Sequence, residues 1–166
     1  MSKKFHILFV CSGNLCRSPM AEGLLKKKLF KEFGNLVTIS SAGTLNLVGR
    51  PATPNAISAA KEKGVDITRH QSKSISEENL QKSDIVLVMT EHHKKFIRNH
   101  YPQFSESVFL ITEFNHENKK DNFVDVPDPI GEGLTYYRKV INQIEREIDR
   151  ILPKIKSLSK TKLKQF

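Results

Sequence analysis

Tryptophan is absent from the chain, methionine occurs three times and cysteine only twice, at positions 11 and 16. Two cysteines so close together cannot staple a fold, which excludes a disulfide-framework protein and agrees with a reducing compartment. Long apolar runs are missing too. Lys3 and Lys4 precede only a six-residue, mostly apolar stretch, Phe5–Val10, too short for a signal-peptide core or a membrane span. A soluble, cytoplasmic protein is expected. The six histidines lack the spacing of metal ligands, and the adjacent His92 and His93 would point apart on a helix. Neither a metal nor another cofactor is expected. No internal repeat, low-complexity tract or interdomain linker interrupts the chain, although 115–122 is polar enough to suggest a mobile loop.

What is present fits one domain: 166 residues, 38% hydrophobic, 27% charged, ten phenylalanines. The net charge of +9 is unevenly spread, because the segment 153–166 holds five lysines and no acid. A main domain over 1–152 with a basic C-terminal extension over 153–166 is therefore expected. Such a run suits acidic surfaces, but without interleaved aromatics it reads first as a solvated helix end, and no nucleic-acid partner is expected.

Phe5–Val10 has the short, β-branched character of a buried strand. A helix should follow Pro19, burying Met20, Leu24, Leu25 and Phe30. Further strands are expected at Val37–Ser40, Asp84–Met89 and Val108–Ile111. Helices are expected from about Thr53 to Lys63, closed by Gly64, from His92 to His100, and from Tyr137 to Ile155. Strands alternating with helices imply an α/β protein, a parallel sheet covered by helices on both faces. Ligands of such folds sit beyond the carboxyl ends of the strands, where the loop after the first strand lies.

That loop reads Cys11-Ser12-Gly13-Asn14-Leu15-Cys16-Arg17-Ser18-Pro19. A lone cysteine at a strand end is ordinarily a small buried hydrophobe. Here it is joined by a Gly-Asn turn, an arginine and a helix start. Backbone amides and the helix N-terminus can together hold a phosphate dianion, and the same field favours thiolate over thiol. Arg17 offers a planar fork for two phosphoryl oxygens, which lysine cannot match. Gly13 permits a positive φ or close backbone approach, and Asn14 tolerates the left-handed region. Ser18 is placed to offer its hydroxyl to Cys11. Expulsion of an alkoxide or phenoxide needs a proton donor, and Asp128, in the rigid segment VDVPDPIG, is the leading candidate, with Asp125 as rival. An Asp-Pro pair can also be a plain turn.

CSGNLCRSPMAE at Cys11–Glu22, SAG at Ser41–Gly43 and Asp128-Pro129 resemble the low-molecular-weight protein tyrosine phosphatases, over nearly the whole chain to about Pro153. The resemblance implies a four-stranded parallel sheet in the flavodoxin-like order 2-1-3-4, a phosphoprotein substrate, and a phosphocysteine intermediate on Cys11. It further implies phosphate binding through Ser12–Ser18 with Arg17, protonation by Asp128, and a supporting hydrogen-bond network of Asn14, Ser18, Ser41 and His70. Cys16 matches a cysteine that can form a reversible disulfide with the nucleophile and so protect it from irreversible oxidation, which makes Cys16 an expected redox guard, with simple loop packing as the alternative. Tyrosine-specific relatives usually carry aromatics after the Asp-Pro, where this chain has Ile130-Gly131, which is closer to a bacterial branch that includes arginine phosphatases. Those arginine-specific relatives have Thr before the second loop cysteine, where this chain has Leu15. An apolar Leu15 suits an aryl ring, so phosphotyrosine is favoured and phosphoarginine stays open. Arsenate reductases of this fold use further cysteines, and none follows Cys16. A non-catalytic phosphate-binding module would keep the loop without the acid, and a thiol redox protein would space its cysteines more closely.

Overall fold

The computed structural model describes residues 3–118 and 120–165; Lys119, in the polar loop 115–122, and Phe166, in the basic extension, lie outside the described residues. Four parallel strands, β1 (Phe5–Cys11), β2 (Val37–Gly43), β3 (Ile85–Val88) and β4 (Val108–Leu110), pair in the order β2-β1-β3-β4. Five helices connect and cover them: α1 (Arg17–Phe33), α2 (Pro54–Glu62), α3 (Glu77–Lys82), α4 (Glu91–His100) and α5 (Leu134–Lys164).

Burial along the strands follows from that order. The central strands β1 and β3 are covered on both faces and read as continuous apolar runs, whereas the edge strands β2 and β4 alternate. Alternate β1 side chains feed two separate cores. Ile7 and Phe9 pack with α1, α2 and α5, while Leu8 and Val10 pack with Leu80 of α3 and Ile97 of α4. The three-layer arrangement and strand order agree with expectation.

Two local expectations need correction, and one helix was not expected. Phe30 is 69% exposed, because the buried stripe of α1 runs through Leu25, Leu29 and Phe33, one position away. Helix α3, too short to show a period, is fixed by a capping box in which Ser76 accepts from the Asn79 backbone amide while the Asn79 side chain accepts from Ser76. The final helix does not stop near Ile155, and a boundary at 152/153 falls inside it. Helix α5 runs through Pro153 to Lys164 because Ile155 and Ser159 are fully buried and Lys162 pairs with Asp84 at 2.6 Å. Burial on the far side outweighs the one amide that Pro153 removes. Within the basic segment Lys156 and Lys160 both pair with Glu32, so these cations serve the chain's own fold.

Candidate active site

Strand β1 ends at Cys11 and α1 begins at Arg17, and the turn between them is held by its carbonyls. Cys11, Ser12, Leu15 and Cys16 accept from the amides of Thr44, Leu45, Thr53 and Met20 at 2.9–3.2 Å. The Asn14 carbonyl accepts from His70 Nε2 at 2.6 Å. The backbone amides of Ser12 through Cys16 have no acceptor among the described residues, and the α1 N-terminus has no side-chain cap. Carbonyls tied back and amides left over, at a helix N-terminus, make an anion site.

Two residues make the turn possible. Asn14, not Gly13, takes the left-handed conformation, with φ 58°. Gly43, ending β2, lies so close beneath the loop that a Cβ would sit 2.5 Å from the Ser12 carbonyl oxygen. The Ser41-Ala42-Gly43 signature thus carries both a hydrogen-bonding serine and a clearance for the loop.

Proton directions around Cys11 can be worked out from the fixed donors. Glu22 only accepts, so Ser41 donates to it at 2.5 Å and must itself accept from Asn14 Nδ2 at 2.9 Å. Asn14 Nδ2 also donates to Ser18 Oγ at 2.8 Å, and Ser18 Oγ lies 2.9 Å from Cys11 Sγ, where its hydroxyl is the donor once the sulfur is a thiolate. Lys73 N–H fills Asn14 Oδ1 at 3.0 Å. The expected cluster of Asn14, Ser18, Ser41 and His70 is therefore assembled, with Glu22 and Lys73 as further members.

Arg17 is 3% exposed. Nη1 donates to the Val126 carbonyl at 3.0 Å and Nη2 to Ser12 Oγ at 3.3 Å, while Nε has no partner among the described residues. The nearest carboxylate oxygen is Asp128 Oδ2 at 3.5 Å, on a side chain 42% exposed. A buried cation so loosely compensated is poised for an arriving anion. Asp128 and Asp125 now separate. Asp128 lines one small cleft with Cys11, Gly13, Leu15, Cys16, Arg17 and Ile130. Asp125 instead accepts from the Glu91 amide at 2.8 Å and pins the start of α4. A larger open groove of about 750 Å³ beside Lys4, Phe30 and Val37 contains none of these groups.

Cys16 is buried, its sulfur 3.3 Å from the Tyr137 hydroxyl and 3.4 Å from Thr53 Oγ1. Burial pushes its thiol up, opposed by those two hydrogen bonds, and burial likewise pushes Tyr137 up to about 12. Both cysteines are unpaired.

The site also contains a residue that sequence reasoning missed. His93 is 1% exposed, and its Nε2 lies 2.8 Å from Ser12 Oγ. Burial, reinforced by the charges of Arg17 and His92, holds its imidazole down to about 3. The only advance signal was Thr90, three residues upstream, which forms a capping box with His93. Among the described residues no group of three or more His, Cys, Asp or Glu side chains could hold a metal ion, and no helix is long and apolar enough to cross a membrane.

Comparison with known proteins agrees with this geometry. A probable low molecular weight protein-tyrosine-phosphatase, EpsP, of Ralstonia nicotianae is 34% identical over 152 residues, covering 92% of this chain and 97% of its own. The protein-arginine-phosphatase of Bacillus subtilis is 34% identical over 150 residues, covering 90% and 96%. The crystal structure of a low molecular weight protein tyrosine phosphatase from T. tengcongensis superposes with a TM-score of 0.81 at 38% identity, covering 91% of this chain and 99% of that one. Residues 6–164 match the family described as low molecular weight phosphotyrosine protein phosphatase, and the chain belongs to that family.

Proposed function

We propose that the protein hydrolyses phosphotyrosine in phosphoproteins, with Cys11 as nucleophile, Arg17 as phosphate clamp and Asp128 as general acid. The observation that carries this reading is the loop itself. Among the described residues the five loop amides from Ser12 to Cys16 have no acceptor, the Cys11 sulfur lies 2.9 Å from the Ser18 hydroxyl, and the buried Arg17 guanidinium has an unpartnered Nε. The phosphoryl dianion seats on the amides and takes Arg17 in place of Asp128. The Cys11 thiolate attacks phosphorus, the P–O bond to the leaving group breaks, and Asp128 gives its proton to the departing oxygen. Asp128 then takes a proton from water, which attacks phosphorus. The P–S bond breaks, the thiolate is restored and inorganic phosphate leaves. Ser18 stabilises the sulfur before attack and as a leaving group.

Leu15 and Ile130 line the cleft, and both are apolar. That lining suits a phenyl ring, and among its described side chains Asp128 is the carboxylate a guanidinium would meet. The second reading, phosphoarginine, is favoured by the 34% identity to the arginine phosphatase of B. subtilis. The two free thiols support a redox-sensitive, cytoplasmic enzyme in which Cys16 closes on oxidised Cys11. The test is phosphate release from matched phosphotyrosine and phosphoarginine peptides, with Cys11→Ser as control. Preference for phosphotyrosine, insensitive to EDTA and lost to vanadate, supports the proposal. Preference for phosphoarginine overturns the substrate, and undiminished turnover by Cys11→Ser overturns the mechanism.

A further inference from the structure

The side chain of His93 reaches the loop from α4, a helix that the chemistry above does not use. Its protonation can be derived from geometry. The Thr90 backbone N–H points at Nδ1 from 3.1 Å. A backbone N–H only donates, so Nδ1 is unprotonated and accepts. The ring's proton therefore sits on Nε2, which donates to Ser12 Oγ at 2.8 Å. Arg17 Nη2 donates to the same oxygen from 3.3 Å. Both lone pairs of the Ser12 hydroxyl are then occupied, and the hydroxyl cannot rotate away without breaking one bond or the other.

We propose that His93 is a positioning residue of the phosphate loop, fixing the Ser12 hydroxyl so that it holds the Arg17 guanidinium in its phosphate-binding orientation. The relay runs from the α4 cap to His93, Ser12 and Arg17, opposite the Asn14 network that holds Ser18. A neutral imidazole is required at every step, because a protonated ring would lose the Thr90 bond and set a second charge beside Arg17. With Ser12 accepting twice, its own proton is left for an oxygen that arrives with the substrate. The inference rests on the phosphatase reading, and the experiment is arranged to separate the two.

His93→Asn isolates the relay from the cap. The chain itself shows that asparagine serves at this capping position, since Asn79 closes the box with Ser76 in α3. An asparagine keeps the acceptor facing Thr90 and removes the donor facing Ser12. Loss of one buried hydrogen bond in the relay should lower kcat/KM for p-nitrophenyl phosphate about five- to tenfold, chiefly through kcat. Ser12→Ala should cost a similar factor, and His93→Asn added to Ser12→Ala should cost nothing more. Inorganic phosphate affinity, measured by calorimetry, should show the same non-additivity even if turnover were absent, which separates failure of the relay from failure of the phosphatase reading. The ¹⁵N shifts of the His93 ring should report the neutral Nε2–H tautomer in the wild-type protein. Equal, independent losses in the Ser12 and Ser12→Ala backgrounds, unchanged kinetics in His93→Asn, or an Nδ1–H tautomer would each overturn the proposal. Ser12→Ala and the ring spectrum keep the test decisive should His93→Asn fail to fold.

Discussion

Replacing Asn14 tests how the loop is held. Its side chain donates to Ser18 and Ser41 and accepts from the Lys73 amide, all within 3.0 Å and fully buried. At about 1 kcal/mol net for each bond, their removal costs about 3 kcal/mol. The backbone adds a second charge to the account, since φ at Asn14 is 58°, and alanine there costs a further ~1 kcal/mol. Asn14→Ala should thus lose about 4 kcal/mol and Asn14→Gly, which removes the same bonds without left-handed strain, about 3 kcal/mol. Typical stabilities of roughly 5–15 kcal/mol leave both variants folded but marginal. Urea unfolding measures the two losses, and p-nitrophenyl phosphate turnover measures the consequence for Cys11, which should fall at least about tenfold once Ser18 is no longer oriented. Losses below ~1 kcal/mol in both variants, or full turnover in a destabilised protein, would refute the claim that Asn14 sets the geometry around the sulfur.

Asp128→Asn should lower kcat on a phosphotyrosine peptide by about 10²-fold or more, and by less on an aryl phosphate whose leaving group needs no proton. Asp125→Asn should leave both rates intact while loosening the start of α4, and a reversed ranking in steady-state assays would exchange their roles. Gly43→Ala drives a methyl into the Ser12 carbonyl, so activity should collapse while far-UV circular dichroism is retained; normal activity would show that the loop can shift freely. His93 predicts an acid limb of stability. Its folded value of about 3 lies below the unfolded ~6.5, so the neutral ring's contribution is full above pH 6.5 and drains as pH falls towards 3. Unfolding free energies should decline through that window, less steeply in His93→Asn, and parallel declines would remove His93 as the cause.

The strands were legible as local apolar patterns and the phosphate loop as the tight motif from Cys11 to Ser18, whereas the strand order came only with the family resemblance. Apart from His6, Phe5–Val10 is apolar without alternation, as is Ile85–Met89 after Asp84, and such runs suit central strands of a parallel sheet. The segment made Asp128 the leading candidate and the resemblance set aside the plain-turn reading, but both aspartates occupy the same proline-rich stretch and nothing in their spacing says that one faces Arg17 and the other the Glu91 amide. Leu29 and Phe33 displaced Phe30 from the core because an apolar stripe is set by the whole helix, and one position of phase moves a side chain through about 100°. The lysines after Ile155 read locally as a solvated helix end, and distant partners, Glu32 and Asp84, carry the helix on to Lys164.

His93 shows where such reading stops. Its neighbour His92 invited a metal reading that adjacency refuted, and with that the pair looked spent. Yet adjacency only guarantees that two side chains diverge; it does not say that both go to solvent. Here His93 turns inward from α4 while His92 stays exposed, and as the N3 residue of a capping box His93 reaches back to the helix start. The carboxyl end of β3 delivers that start to the loop's side through Met89, whose carbonyl accepts from the Val126 amide at 2.8 Å, while the Val126 carbonyl accepts from Arg17. The contact between His93 and Ser12 spans 81 positions of sequence. It exists because β3 lies beside β1 and both strands end at the same rim. A parallel sheet brings every strand's following loop to one edge, so residues just after β3 are candidates for the site whatever motif they lack. A search of those positions for buried polar side chains would have found Thr90 and His93 once the strand order was known.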